Sequence, residues 1–291
     1  MAIAVIGTTV GIFIFSPLSE FLITTKGWRT AWLILGGIGS LVVVIVALLV
    51  IRKDPQSMGL RPDGLSALDI THDEKNPQPR GNFAEYSWSR QQAIRSFAFW
   101  ALVIIHSFRM LSISTLHVFR IPFYIEQGIA PNLVAWAISF EALIAAFVSF
   151  FAGSAVDRIQ PRFMVAISLV LVIAMFLVTM NIHTTWHVYV ATGLYGASAV
   201  TYLIAINTLW PNFFGSAHIG SIRGISLMTT LIISTIGAPI SGAIKDATGS
   251  YLPAWIVALL LLTTATVLML ITKKPIPCVE KEKNEYSLQN T

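Results

Sequence analysis

Charge is scarce in this chain. Only 11% of its 291 residues are Asp, Glu, Lys or Arg, where a soluble domain carries about 25%. With 55% hydrophobic residues and a mean hydropathy of +0.73, that deficit excludes a water-soluble globular domain. Cysteine is nearly absent: Cys278 stands alone, so an intrachain disulfide is excluded. It follows the last apolar run, where it reads as a cytosolic thiol, with acylation as the alternative. Enzyme signatures are missing as well. H-E-x-x-H, G-x-S-x-G and G-x-x-x-x-G-K-[ST] do not occur, nor does a paired His/Cys metal spacing. His183 and His187 are four apart beside Trp186 and read as interfacial residues. The chain is therefore read as no enzyme, without cofactor or metal. No basic region precedes the first apolar run, whose first Lys or Arg is Lys26, so that run is not a cleaved signal peptide.

Long apolar runs are what the chain does have. A span needs roughly 20 apolar residues to cross about 30 Å of hydrocarbon. Eight runs qualify, at about 2–25, 30–51, 96–120, 132–154, 163–181, 186–210, 220–245 and 252–272. They lack strand alternation, and inside hydrocarbon every backbone polar group needs an internal partner. The expected fold is all-α, a polytopic membrane protein with eight transmembrane helices.

Fourteen of the nineteen Lys and Arg residues fall in alternate joints, counting from an N-terminus on the cytoplasmic side, and only Lys26, Arg29 and Lys245 in the others. That is a positive-inside bias. On that bias both the start of the chain and its C-terminus are expected in the cytoplasm, and the expected location is a plasma (inner) membrane. The bias also accounts for the +5 net charge as topology, with no nucleic-acid partner. Residues 53–95 form the one long polar stretch. Prolines 55, 62, 77 and 79 and glycines 59, 64 and 81 break regular structure there. Ser89-Arg90-Gln91-Gln92 reads as a capping box that opens a short interfacial helix.

The chain also repeats itself. Met1–Pro55 and Arg223–Pro275 share a layout: Pro17 falls opposite Pro239, Ser19 opposite Ser241 and Gly27 opposite Gly249. After a one-residue shift, Ala31-Trp32 falls opposite Ala254-Trp255. Duplicated halves mark transporter architecture.

The run Phe213–Tyr251 has Gly220-Ser-Ile-Arg223-Gly224 at one mouth, Pro239 late within it and Asp246-Ala-Thr-Gly249-Ser-Tyr251 at the other, and so resembles helix 11 of the major facilitator superfamily. Further motifs are similar to those of the same family. Gly153-Ser-Ala-Val-Asp157-Arg158-Ile-Gln-Pro-Arg162 resembles its G-x-x-x-D-R-x-x-x-R joint between helices 8 and 9, and Gly27-Trp28-Arg29 its joint between helices 5 and 6. Asp54-Pro55 through Gly64, and His117 with Tyr124 and Gly128, resemble the monocarboxylate and oxalate–formate branch. The resemblance implies a twelve-helix fold matched from helix 5 onward. On that basis 1–52 would be the last two helices of the N-terminal bundle and 53–95 the central cytosolic loop with its interfacial helix. Residues 96–273 would be the C-terminal six-helix bundle and 274–291 a cytosolic tail. Helices 1–4 would be missing, through a gene model that starts at an internal methionine or through a split or degraded gene. The partners are then the bilayer, a small organic solute and possibly a proton, with no obligate protein partner unless a separate chain supplies those helices.

The resemblance implies that helices 7, 8, 10 and 11 line a cavity. Independently, the runs at 30–51, 163–181 and 252–272 hold no ionisable residue within hydrocarbon depth, whereas those at 96–120 and 132–154 do. His106, Arg109, His117 and Arg120 fall within an arc of about 80° and make one polar stripe. Arg109 lies near the middle of its run and Glu141 near the middle of the next, so the two are expected to pair. An unpaired Arg there costs about 2.5–3.5 kcal/mol on insertion scales. The pair is either a fixed link or a site broken by an anion on Arg109, or by a proton on Glu141 or His106. His117 and Arg120 read as an outer vestibule or as anchors. Tyr202 and Asn207 are candidate substrate contacts, and Tyr195 shares the Tyr202 face. Asp157, Arg158, Arg162 and Gly153 would form a gating joint, and Pro17 and Pro239 would bend their helices. The expected function is a secondary carrier of a small organic solute, an anion such as a monocarboxylate, working by alternating access with proton coupling or exchange. The alternative is a non-transporting membrane interaction protein or an inactive carrier fragment.

Overall fold

The computed structural model of the chain describes residues 2–49, 88–156 and 158–275. The long polar stretch up to residue 87, the tail from 276 onward and Asp157 lie outside the described residues. The chain divides into two compact units, 1–20 with 86–291, and 21–85. Ten helices are described: α1 (Ala2–Lys26), α2 (Trp28–Leu49), α3 (Arg90–Arg95), α4 (Phe97–Glu126) and α5 (Pro131–Val156), then α6 (Pro161–Met180), α7 (Thr185–Phe214), α8 (Ile219–Thr235), α9 (Gly237–Thr248) and α10 (Leu252–Ile271). No strand occurs among the described residues. Seven spans there are long and apolar enough to cross a membrane, α8 and α9 together counting as one. Helix α1 is 25 residues long and is the eighth of the sequence reading.

Local chemistry sets the helix ends. Ser89 accepts from the Gln92 amide while Gln92 returns a bond to the Ser89 amide, a complete capping box. Seven residues later Ser96 accepts from the Phe99 amide and starts α4. Prolines 131 and 161 open α5 and α6, where a fixed φ and a missing N–H cost nothing. Gly27 (φ 79°) and Gly249 (φ 72°) adopt the left-handed conformation that ends α1 and α9. These are the two glycines that the internal repeat aligns. Their tryptophan counterparts have diverged: Trp32 is exposed, whereas Trp255 is fully buried against Phe176 and Phe123.

In the larger unit, α7 packs on α5 and α6, α10 on α4 and α6, and α8 on α4. Lipid offers no hydrophobic driving force between helices, so small and hydroxylated residues hold such contacts. Ser198 donates to the Ser168 carbonyl, and Thr115 shares a bond with Ser241. Gly196 lets α7 approach α5 so closely that an added Cβ would clash with the Glu141 carbonyl oxygen.

The two bending prolines behave differently. Helix α1 continues through Pro17. Pro17 has no N–H for the carbonyl four residues back, that of Phe13, and Ser139 of α5 donates to this freed oxygen at 3.1 Å. The Pro239 helix breaks at Ile236, between α8 and α9. There Ser114 donates to the Ser234 carbonyl, and Gly237 makes room for Leu111 and Ser114 of α4.

Candidate functional site

The stripe on α4 meets α7 in two similar assemblies. His106-x-x-Arg109 and His117-x-x-Arg120 are eleven residues apart, close to three turns, and so share a face. The opposing tyrosines on α7, Tyr202 and Tyr195, are seven apart and run in the antiparallel order. In the inner assembly His106 Nδ1 and the Tyr202 hydroxyl share a 2.5 Å hydrogen bond, and the Arg109 guanidinium lies 3.9 Å over the Tyr202 ring. In the outer one His117 Nε2 and the Tyr195 hydroxyl share a 2.8 Å bond, with Arg120 5.5 Å over the Tyr195 ring. Each is a cation–π contact supported by a histidine–phenol bond.

The two assemblies differ by one carboxylate. Glu141 of α5 pairs with Arg120 at 2.6 Å, both side chains being largely buried. The expected Arg109–Glu141 pair does not form. The reason lies in the extent of α4, which continues past residue 120 and through Pro122 to Glu126. Counted from the joint between α4 and α5 at 1.5 Å per residue, Arg120 lies about 9 Å along its helix, Glu141 about 15 Å and Arg109 about 26 Å. Glu141 is thus nearer in level to Arg120. Arg109 is left with 3% of its surface exposed and no carboxylate pairing with it among the described residues. Its Nε is buried without a hydrogen-bond partner.

A cavity of about 550 Å³ opens on these groups, walled by α4, α7 and α8. His106, Arg109, His117, Tyr195, Tyr202 and Asn207 all line it. Asn207 donates to the Leu203 carbonyl and accepts from Arg223 of α8, so a second cation reaches the wall. Arg120 and Glu141 are not among its lining residues. The cavity therefore presents cations and polar donors with no carboxylate to balance them. A buried donor without a partner costs about 1–3 kcal/mol, so an anion entering here is favoured by the wall it meets.

Of the gating set, Asp157 lies outside the described residues, Arg158 is exposed, and Arg162 faces a different cavity with Lys273 and Lys274. Gly153 has open space where a side chain would be. Reasoning from sequence missed the Arg120–Glu141 pair and the link between Arg223 and Asn207. The doubled His-x-x-Arg spacing, matched by the seven-residue tyrosine spacing, was the available signal for the first.

Comparison with known proteins follows the same lines. The sequence profile of the Major Facilitator Superfamily matches residues 1–128 and 102–287. Monocarboxylate transporter 12-B of Danio rerio is 23% identical over 284 residues, which cover 92% of this chain and 59% of that protein. Monocarboxylate transporter 11 of Mus musculus is 24% identical over 268 residues, 88% of this chain and 55% of its own length. The chain thus spans little more than half the length of these curated relatives.

Proposed function

The chain belongs to the Major Facilitator Superfamily, and from that premise we propose that it serves a secondary carrier of a small organic anion, a monocarboxylate, working by alternating access. One observation carries this reading: Arg109, buried and with no carboxylate partner among the described residues, faces a cavity large enough for such a solute. Two relatives named as monocarboxylate transporters support the substrate class. The carboxylate of the solute pairs with Arg109, whose guanidinium is held flat on Tyr202 and presents its edge. His106 is bonded to the same tyrosine, so a proton on its ring lies beside the bound anion. Glu141 is the second proton acceptor. Neutralising it frees Arg120, which couples protonation to a rearrangement of α4 against α5. The energy source is the proton gradient or exchange of one anion for another.

The test is uptake of radiolabelled lactate into proteoliposomes containing the protein. Losing one charge-assisted hydrogen bond costs about 1.5–3 kcal/mol, so Arg109→Ala is expected to cut uptake by about tenfold or more. Arg109→Lys, which keeps the charge without the fork, retains part of it. Unchanged uptake and unchanged pH dependence in Arg109→Ala would rule the assignment out.

A further inference from the structure

A second cavity, of about 520 Å³, lies away from the first, where the start of α6, the end of α7 and the residues after α10 converge. Arg162, Lys273 and Lys274 line it together with Asn212, and Leu209 and Phe213 form its apolar part. Among the described residues, no acidic residue lines it and no carboxylate pairs with any of the three cations. Arg162 stacks at 4.5 Å on the ring of Phe163, which fixes the guanidinium plane. Its Nε is nevertheless buried with no hydrogen-bond partner. Three positive groups thus share a concave site, and no carboxylate among the described residues balances them.

The position says what balances them. Lys273 and Lys274 follow directly on the last residues of the membrane-spanning α10, and Arg162 is the second residue of α6. Asn212 belongs to the last turn of α7. All three helices therefore present the ends where hydrocarbon gives way to headgroups. We propose that this cavity binds the phosphate group of an anionic phospholipid at that face of the bilayer. The phosphate oxygens accept from Arg162 and the two lysines, and the glycerol and first acyl carbons lie on Leu209 and Phe213. A water-soluble phosphate makes the same polar contacts but has nothing to place on those apolar side chains, which favours the lipid as source. Each cation near an anionic membrane surface adds roughly a fivefold preference, so three together select anionic over zwitterionic lipid by about a hundredfold.

The site also touches the joint between α5 and α6. A lipid held by Arg162 restrains the residue that the gating reading depends on, so lipid composition becomes a control on that joint.

The experiment uses the full chain purified from nanodiscs of phosphatidylcholine with a minor fraction of phosphatidylglycerol. Retained lipids are counted by native mass spectrometry. The protein is expected to keep phosphatidylglycerol, and Arg162→Gln/Lys273→Gln/Lys274→Gln to lose at least about nine-tenths of it. Arg90→Gln/Arg95→Gln, which removes two charges from α3, is expected to keep it. Equal retention by the triple variant, or equal loss from both variants, overturns the site. Acylation of Lys273 and Lys274 in the unaltered chain gives a readout independent of variant folding. Phosphatidylglycerol is expected to protect both lysines. Equal protection by millimolar inorganic phosphate alone overturns the lipid as occupant, and absence of protection by either overturns the site.

Discussion

Two arginines on one helix face have opposite fates because, among the described residues, a carboxylate pairs with only one of them. Arg120 has Glu141 at 2.6 Å, and Arg109 has the face of Tyr202 and a cavity. Attraction between the buried partners offsets the desolvation of both, and removing one leaves the other charge uncompensated, at about 3–5 kcal/mol. Glu141→Ala is therefore expected to lower the unfolding free energy in detergent by about 3 kcal/mol. Arg120→Leu/Glu141→Leu should restore most of that, because no charge is then stranded. Equal destabilisation in the single and double variants would show that the two residues do not act as a pair. Both arginines were legible in the sequence as members of one polar stripe. Which of them Glu141 meets was not, because that depended on how far α4 runs. Pro122 reads locally as a stop, yet helix geometry continues through it for another turn before Gly128 (φ 82°) closes the element.

Among the helices, glycine and proline act through the neighbour they face. Gly196 is the point where α7 meets the backbone of α5 at Glu141, and a methyl group there has nowhere to go. Gly196→Ala is expected to push the two helices apart, costing about 1–3 kcal/mol and weakening the Arg120–Glu141 pair with it. Gly224, within α8, has open space around its missing side chain. Gly224→Ala is expected to be neutral or stabilising by up to about 1 kcal/mol. Thermal unfolding of the two purified variants distinguishes them, and equal behaviour would contradict the packing described. Pro17 illustrates the same dependence on a neighbour. Its effect on α1 is a freed Phe13 carbonyl, satisfied by Ser139 from a helix more than a hundred residues away. The capping box at Ser89 and the turn glycines at 27 and 249 were legible because their chemistry is local. Gly196 and Ser139 carry no such signal, since an isolated glycine or serine in an apolar run has a partner that sequence spacing does not name.

For the whole molecule, the distribution of charge gives an expected orientation before any packing is considered. Lys and Arg concentrate in alternate joints, so the positive-inside rule predicts that Cys278 is cytoplasmic. As the sole cysteine, it makes a direct probe. A membrane-impermeant maleimide is expected to leave it unlabelled on intact cells and to label it after permeabilisation; labelling of intact cells would reverse the topology. Composition alone determined that this is a helical membrane protein, because a chain this apolar must satisfy its backbone within each segment. Motif order pointed to the superfamily, and the placement of His106, Arg109 and His117 identified the wall that faces a cavity. Those are properties of single segments and of their spacing. The tertiary structure decided which buried charge is neutralised and which faces a cavity. It also decided that Arg162, Lys273 and Lys274 share one site. Such pairings arise between helices distant in sequence, and their relative depth is fixed by where each helix ends and how closely its neighbours pack.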